Sequence, residues 1–320
     1  MDELFSQPEF SDFPASLHLA MLQDSVRMAA YKAAIAEAVK PGDVVVDVGS
    51  GTGILSFLAL QAGAGSVHGF EISSLCGHAA EIAELNFPGQ DIHFHQLDLL
   101  KDDLPDIQAD VIICELFGNF GIEEDLLRIL SRVRSTLLKP GGILLPETLD
   151  LYVVPVQCTS AYRDIANWQT PVAGINFSAC QVLAYNAVYQ IHNEPLNFLG
   201  TPHEIAQLDL YNVAKLPTSL SANFALSDGV LHGVAGWFRS RLTNGSTLDT
   251  GPEEPDTHWG QIFFPTGDPI SVSQGDEICF NFSETTCGSC VSWQWQGKLR
   301  QVGEKDGRKY DFKSQRKLSG

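Results

Sequence analysis

The chain has 320 residues, enough for one large domain or two ordinary ones. Hydrophobic residues make up 44% of the chain and charged residues only 18%, so a packed core is expected and extensive disorder is excluded. The 39 Asp and Glu against 20 Lys and Arg give a formal charge of −19, which argues against a nucleic acid or an anionic membrane as the main partner and favours a cationic one.

The first half of the chain alternates helix-like and strand-like segments. The first segment, 17–39, is predicted to be one helix. Its apolar positions fall on one face, which we expect to be buried: Leu22, Val26, Ala29, Ala30 and Ala33. Strands are predicted at 44–46, 67–70, 92–94, 111–114 and 143–145, with further helices at 54–62, 76–85 and 124–138. This rhythm predicts an α/β domain with a mostly parallel sheet over residues 1–146.

After Pro146 the pattern changes to short β-branched and aromatic runs separated by Gly, Pro, Asn and Ser. Strands are predicted at 151–156, 209–213, 229–238, 260–264, 277–282 and 291–295. They predict an antiparallel barrel or sandwich over 147–320, with 161–202 as a helical insertion. Residues 298–320 hold 8 Lys and Arg against 3 Asp and Glu, whereas 1–297 hold 12 against 36. This basic end is interpreted as a solvated tail, with folding back on the acidic body as the alternative.

Targeting and cysteine patterns favour the cytoplasm. Residues 1–13 are acidic and lack a signal-peptide pattern, and no apolar stretch approaches the roughly 18 residues of a membrane helix. Seven cysteines are an odd number in a chain too large to need disulfides, which indicates a reducing compartment. Cys287 and Cys290 form one CxxC with no second ligand pair at a zinc-site spacing, so ordinary thiols and no metal site are predicted.

A glycine-rich loop, Asp47-Val48-Gly49-Ser50-Gly51-Thr52-Gly53, follows the first predicted strand and precedes a helix. Glycines there let a ligand approach the backbone beneath a helix N-terminus. Glu71, at the end of the next strand, suits the ribose hydroxyls of a nicotinamide dinucleotide or of S-adenosylmethionine alike. Asp47 would repel a pyrophosphate, so S-adenosylmethionine, which has no phosphate, is favoured.

The motifs around this loop resemble the protein arginine methyltransferase family, in the family's order, from about residue 10 to at least 282. They are His18-Leu-Ala-Met21-Leu-Gln-Asp24-Ser-Val-Arg27, the glycine loop, Phe70-Glu71, Cys114-Glu115-Leu-Phe-Gly-Asn-Phe-Gly-Ile-Glu-Glu124 and Thr257-His258-Trp259. The resemblance implies a Rossmann-like class I methyltransferase domain followed by an antiparallel β-barrel domain. It also implies a helical dimerisation arm, which we place at 177–203, and a homodimer.

Glu115 and Glu124 are nine residues apart, with Gly118 and Gly121 between them, a spacing that can form a loop presenting two carboxylates. A guanidinium is protonated at neutral pH and its planar donors match paired carboxylates. The resemblance implies that the two glutamates bind a substrate guanidinium and act in catalysis. The alternative is that Glu124 belongs to an acidic helix start, which would suit the helix dipole.

The resemblance implies further roles. His258 would pair with Asp24 and accept a proton, and Trp259 would form a wall of the substrate pocket. Arg27 would bind the cofactor carboxylate, His18 and Met21 would line the cofactor pocket, and Asp98 would contact the adenine amino group. Simpler alternatives are a packed or capping histidine, an exposed arginine and an ordinary loop aspartate.

Two departures from the family pattern widen the choice of function. The two tyrosines of the N-terminal helix are absent from Glu9-Phe10-Ser11-Asp12-Phe13, and the usual Trp-Met pair is Leu116-Phe117. Three hypotheses follow: an arginine methyltransferase for proteins or peptides, a methyltransferase for free arginine or another small guanidine, and an inactive binding or regulatory protein.

Overall fold

The chain forms two compact units. The computed structural model describes residues 15–192, 194–287, 290–302 and 309–318. The first unit contains the chain up to residue 149 together with 208–215 and 240–249, and the second contains 150–207, 216–239 and the residues from 250 onward. The sequence places one boundary, at 146 and 147, whereas two later segments return to the first unit.

The returning segments are held by specific contacts within the first unit. Arg134 donates to the carbonyls of Leu210 and Val213 at 2.8 and 2.6 Å, and the hydroxyl of Tyr211 accepts from the backbone of Leu144 at 2.8 Å. These contacts join residues far apart in sequence, so no local sequence pattern predicts them.

A five-stranded parallel sheet forms the centre of the first unit, as the sequence predicts. Its strands are β1 (Val44–Val48), β2 (Ser66–Glu71), β3 (Ile92–Gln96), β4 (Ala109–Cys114) and β5 (Leu138–Leu145), in the order β3-β2-β1-β4-β5. Val48 pairs with Phe70 on one side and Cys114 on the other. Gly49, Glu71 and Glu115 therefore lie next to one another in register at the carboxyl ends of the strands, where ligands bind in such sheets.

The helices of the first unit are α1 (Ala15–Gln23), α2 (Ser25–Ala38), α3 (Ile54–Ala62), α4 (Leu75–Asn86) and α5 (Leu126–Leu137). The single helix predicted over 17–39 is wrong, because Asp24 breaks it. Its backbone is extended (φ −68°, ψ 97°), and its side chain accepts from the backbone N–H of Arg27 as the N-cap of α2.

The predicted buried face is also wrong. Leu22, Ala29 and Ala33 are exposed. The residues that α2 buries are Arg27, Tyr31, Ala34, Ile35 and Ala38. Two of these have polar ends that find partners inside the unit, so a search for an apolar stripe selects the wrong side of the helix.

After β5 the chain is mostly antiparallel, which confirms the predicted β domain. The strands are β6 (Thr148–Gln157), β7 (Tyr189–Ile191), β8 (Asn197–Phe198), β9 (His203–Asp209), β10 (Leu220–Ala225), β11 (Gly229–Thr243), β12 (Ser246–Asp249), β13 (Gln261–Val272), β14 (Glu277–Cys287), β15 (Cys290–Arg300) and β16 (Lys309–Leu318). One sheet has the order β7-β13-β11-β6-β8, with β12 beside β11 and β9 beside β6, and the other has the order β10-β14-β15-β16. The strand expected at 209–213 is instead a turn after β9.

A helical insertion lies between β6 and β7. It contains α6 (Thr159–Ala166), α7 (Gln181–Tyr185) and two short 3-10 turns, Asn167–Gln169 and Ser178–Cys180. Tyr162, Ile165 and Ala184 pack its base against Trp237 and Phe263 of the sheet. Helical structure therefore begins before the predicted arm at 177–203, whose second half forms β7, β8 and the start of β9.

The basic end is not a solvated tail where it is described. Lys298 and Arg300 lie on β15, and β16 pairs with β15 from Val291↔Leu318 to Arg300↔Lys309. The strand pattern is obscured in sequence by the many charged residues of this segment. The departures at 9–13 and the side chains of Cys287 and Cys290 lie outside the described residues. Within the described part of the chain, no helix is long and apolar enough to cross a membrane.

Candidate active site

The glycine loop turns between β1 and α3 through three left-handed residues, a region that favours glycine. The φ angles are 70° at Gly49, 50° at Gly51 and 84° at Gly53. A Cβ at Gly53 would lie 2.8 Å from the ring of Phe94, so no larger residue fits there. At Gly51 the nearest neighbouring atom would be Nδ1 of His18 at 4.0 Å. The loop therefore leaves room above the backbone of Gly51.

Glu71 lies beside this open backbone at the end of β2. One carboxylate oxygen accepts from the backbone N–H of Gly51 at 2.9 Å, and the other accepts from that of Ser73 at 2.8 Å. Burial lowers the pKa of His18, and the charge of Glu71 partly opposes this shift. The structure thus brings together three residues predicted to bind the cofactor: His18, Gly51 and Glu71.

Asp47 is buried beneath the loop, with 1% of its surface exposed. Its Oδ2 accepts from the hydroxyl of Ser56 at 2.6 Å, whereas its Oδ1 has no hydrogen-bond partner among the described residues. Burial is the main cause that raises the pKa of Asp47 to about 6. A buried acceptor without a donor is costly, and a ligand donor can satisfy it.

Arg27 and Glu115 form a buried ion pair. Nε and Nη2 of Arg27 both donate to Oε2 of Glu115, the first at 3.1 Å, and the two side chains are 5% and 8% exposed. Nη1 donates to the carbonyl of Met21 at 3.3 Å. Burial alone would lower the pKa of Arg27, but the carboxylate of Glu115 outweighs it and the net shift is upward. The sequence assigns Arg27 to the cofactor carboxylate; here its partner is Glu115.

Glu124 lies in the loop before α5 rather than in the helix. Asp125 next to it has a left-handed backbone (φ 55°) and makes no side-chain cap, and the helix begins at Leu126. Burial, and then the nearby carboxylates of Glu115, Glu123 and Glu71, raise the pKa of Glu124 to about 8. Glu124 therefore lies directly before the N-cap of α5, a position that is compatible both with an acidic helix start and with the predicted role toward a substrate.

Glu123 was missed from the sequence and organises the loop. Its carboxylate accepts from the backbone N–H of Phe120 at 2.8 Å and from that of Ile122 at 3.0 Å. A Cβ at Gly118 would lie 2.4 Å from the carboxyl carbon of Glu123, so the loop closes only with glycine there. An acid a few residues after a Gly-containing turn is a weak signal for such a loop clamp.

Asp98 and Asp24 each accept a backbone hydrogen bond from a residue close in sequence. Asp98 accepts from the backbone N–H of Leu100 at 2.8 Å and pairs with Lys101 at 2.7 Å. Burial opposes the downward shift of its pKa, and Lys101 outweighs burial. Asp24 is 8% exposed and accepts from the backbone N–H of Arg27 at 2.9 Å. These contacts suit a loop aspartate and a helix cap, and the predicted roles toward adenine and His258 stay predictions.

His258 and Trp259 belong to the second unit. Their rings lie 3.9 Å apart between centroids, and Trp259, 4% exposed, packs edge-on against Phe238 at 5.4 Å. The hydroxyl of Thr257 donates to the carbonyl of Trp259 at 3.0 Å and fixes the turn. A cavity of ≈ 220 Å³ beside Trp259 includes three acidic residues in its lining: Glu194, Glu254 and Asp256. The second unit thus places Trp259, with His258 in contact with it, beside an acidic cavity.

The first-unit residues fit a cofactor that carries hydrogen-bond donors and no phosphate. The backbone is open at Gly51, a carboxylate lies beside it in Glu71, and Asp47 holds an unpaired buried oxygen. Among the described residues no group of three or more His, Cys, Asp or Glu is arranged to hold a metal ion.

Comparison with known families assigns two segments. Residues 147–288 match the family model described as the arginine methyltransferase oligomerization subdomain. Residues 30–145 match that of the ribosomal protein L11 methyltransferase.

Curated relatives match most of the chain. Protein arginine N-methyltransferase 6 of Xenopus tropicalis is 31% identical over 279 residues, which cover 82% of this chain and 82% of that protein. The probable protein arginine N-methyltransferase 6.1 of indica rice is 32% identical over 305 residues, covering 82% of this chain and 79% of the relative.

Two solved structures share the fold. A chain of the Trypanosoma brucei PRMT1 enzyme–prozyme heterotetrameric complex with AdoHcy has a TM-score of 0.83 at 24% identity. The match covers 94% of this chain and 98% of that chain. Protein arginine methyltransferase 10 of Arabidopsis thaliana has a TM-score of 0.79 at 23% identity, with 94% and 97% coverage.

Proposed function

The chain belongs to the protein arginine N-methyltransferase family, and from this premise we propose that it methylates the guanidinium group of arginine residues in proteins, with S-adenosylmethionine as methyl donor. The observation that carries the proposal is the pair Glu115 and Glu124, which lie on one loop at the carboxyl end of β4 with a raised pKa at the second. The glycine loop and Glu71 support the cofactor.

The cofactor, when bound, supplies an electrophilic methyl group on a sulfonium. Gly51 would let it approach the backbone in a turn that Gly49 and Gly53 shape, Glu71 would bind its ribose hydroxyls, and His18 and Met21 would line its pocket. Asp47 and Asp98 would complete the contacts.

The two glutamates would hold the substrate. Paired carboxylates keep the positive charge of the guanidinium on two nitrogens, and this leaves the third nitrogen with electron density to attack the methyl group. Glu115 forms an ion pair with Arg27, whereas burial and the nearby carboxylates raise the pKa of Glu124 to about 8, which favours its protonated form in the free protein. A cationic guanidinium therefore displaces that proton when it binds between them.

His258 would accept the proton that the guanidinium loses on methylation, oriented by Asp24, and Trp259 would form a wall of the pocket. The close contact of the His258 ring with Trp259, at 3.9 Å between centroids, supports a defined ring position.

Radiolabelled methyl transfer to arginine-rich peptides tests the function. We expect label on arginine with wild type and no measurable turnover with Glu124→Gln, which keeps the shape of the side chain but cannot carry its charge. Cofactor affinity should be unchanged in that variant. Glu84→Gln, a change at an exposed residue of α4, is the matched control.

Three results would count against the proposal. They are no label from wild type while the cofactor binds, full turnover by Glu124→Gln, and a higher efficiency on free arginine than on any peptide. The last would assign a small guanidine as substrate, and absence of cofactor binding would favour an inactive regulatory protein.

We further propose a homodimer in the cytoplasm. The helical insertion exposes several apolar side chains: Val172, Ile175, Val182 and Leu183. This insertion lies in the segment that matches the oligomerization subdomain. The cysteines whose side chains are described are free thiols, in keeping with a reducing compartment.

A further inference from the structure

We propose that Tyr31 is a positioning residue for Glu115, an inference that rests on the proposed function. Tyr31 lies on α2 and is fully buried. Its hydroxyl donates to the backbone carbonyl of Cys114 at 3.1 Å, and Cys114 is the residue directly before Glu115. The ring therefore ties α2 to the point where β4 ends and the glutamate loop begins.

That point lacks support on one side of the sheet. The register between β4 and β5 ends at Ile113↔Leu145, whereas the register between β4 and β1 continues to Val48↔Cys114. Cys114 is thus the first residue of β4 beyond its pairing with β5. The bond from Tyr31 adds a fixed contact where that pairing has stopped.

A second contact from the same helix reaches the next residue. Arg27 lies one turn before Tyr31, so the two share a face of α2. Its guanidinium carbon lies 5.8 Å from the centre of the Tyr31 ring, and its Nε and Nη2 hold the carboxylate of Glu115. The helix thus holds the carbonyl of Cys114 through Tyr31 and the side chain of Glu115 through Arg27.

Two anchors on consecutive residues restrict both the backbone and the carboxylate of Glu115. Catalysis by positioning is sensitive to displacements of about 1 Å. Loss of the Tyr31 hydroxyl would leave the ring packed and the ion pair present but free the carbonyl of Cys114. The expected effect is on the rate of transfer more than on cofactor binding.

The alternative is that the hydroxyl only satisfies a buried polar group, as buried tyrosines usually require. Tyr189 offers a matched control. Its hydroxyl also donates to a backbone carbonyl, that of Ala184 at 2.9 Å, but in the second unit at the base of the helical insertion. Tyr189→Phe removes the same kind of bond without touching the glutamate loop.

The test compares Tyr31→Phe with Tyr189→Phe and wild type in kcat, KM for an arginine-rich peptide, cofactor Kd and Tm. We expect kcat of Tyr31→Phe to fall about tenfold, with cofactor Kd within threefold of wild type and a change in Tm similar to that of Tyr189→Phe. Tyr189→Phe should keep wild-type kcat. Incorporation of 4-aminophenylalanine at position 31, which restores a donor, should recover most of the lost rate.

If Tyr31→Phe does not fold, 4-methylphenylalanine at position 31 fills the volume of the hydroxyl without a donor and should show the same fall in kcat. A kcat within twofold of wild type in either variant overturns the inference, as does an equal loss in Tyr189→Phe. Failure of the proposed function is distinct, because wild type and Tyr189→Phe would then transfer no methyl group at all.

Discussion

Glu115 and Glu124 are chemically identical but have different surroundings. Glu115 has a buried cation, Arg27, as partner, whereas Glu124 lies among three other carboxylates. Like charges and burial favour the neutral acid, and an opposite charge favours the carboxylate. In the free protein Glu115 is therefore paired with a cation, whereas the raised pKa of Glu124 favours its neutral form, and a cationic substrate supplies the charge that ionises Glu124.

This difference predicts a pH dependence of substrate binding. Because Glu124 must lose its proton to bind a guanidinium, affinity for an arginine-rich peptide should rise about tenfold per pH unit well below pH 8 and level off above it. Calorimetry between pH 6.5 and 9 measures it. Glu124→Gln should flatten the profile, and Glu84→Gln should not. An equally steep rise in Glu124→Gln would contradict the role of Glu124.

The stability of the ligand-free protein should follow the opposite trend. The folded-state pKa of Glu124 is raised above its ordinary value of 4.5, so its contribution is fully present below pH 4.5 and is lost as the pH rises through about 8. Denaturant unfolding at pH 6 and 9 should therefore show a smaller loss of stability in Glu124→Gln than in wild type.

Individual residues differ in how far sequence could place them. Glu115 could be recognised because a charged residue directly follows the apolar strand β4. Its partner Arg27 could not, since the two are 88 residues apart and meet only through the packing of α2 on the sheet. The role of Glu123 in closing the loop could not be predicted, because sequence does not distinguish it from the neighbouring acids.

Asp24 sets the boundary between α1 and α2. It accepts from the backbone N–H of Arg27 and so fixes the first turn of the helix that carries Arg27 and Tyr31. α1 has no buried residue, so its position depends little on core packing. A cap at this boundary stabilises α2 independently of α1.

Substitution of Asp24 separates capping from any effect of its charge. Asp24→Ala should lower the free energy of unfolding by about 1 kcal/mol, whereas Asp24→Asn, which also caps helices, should stay close to wild type. Denaturant titration of both variants measures this. Equal destabilisation would contradict the capping role. If Asp24 also orients His258, Asp24→Asn should lose turnover at nearly wild-type stability.

The elements that sequence predicts best are those in which the order of apolar and polar residues matches the order of buried and exposed positions. The central strands β1 and β4 are almost wholly buried and appear as nearly continuous apolar runs. The face of α2 was misjudged because Arg27 and Tyr31 are buried with their polar ends paired. The strand β16 was missed because its charged residues resemble those of a tail.

At the scale of the molecule, the net charge acts on a substrate at longer range than any single contact. The net charge of −19 should attract arginine-rich segments from solution, and salt weakens such attraction because the screening length is about 10 Å at 0.1 M. KM for an arginine-rich peptide should rise roughly threefold or more between 50 and 300 mM salt. A peptide with one arginine among neutral residues should change less. Equal salt dependence of the two would contradict charge steering.

The exposed apolar residues of the helical insertion predict how copies of the chain associate. Ile175 and Leu183 are 59% and 65% exposed, so Ile175→Glu with Leu183→Glu should convert a dimer to a monomer. Light scattering at micromolar concentration measures the mass. Leu85→Glu changes a residue of α4 that is 81% exposed and should leave the dimer intact. A monomeric wild type, or equal dissociation by Leu85→Glu, would contradict this surface.

The discontinuous first unit has a consequence for synthesis on the ribosome. Arg134 needs the carbonyls of Leu210 and Val213, and the hydroxyl of Thr243 donates to Glu37 of α2 at 2.7 Å. A nascent chain that has emerged only to residue 149 has every strand of the parallel sheet but none of these partners. Domains usually complete their packing in order of synthesis. The packing around the sheet that carries the glutamate loop can therefore be completed only after about a hundred further residues have emerged. We expect the two units to fold together rather than one after the other.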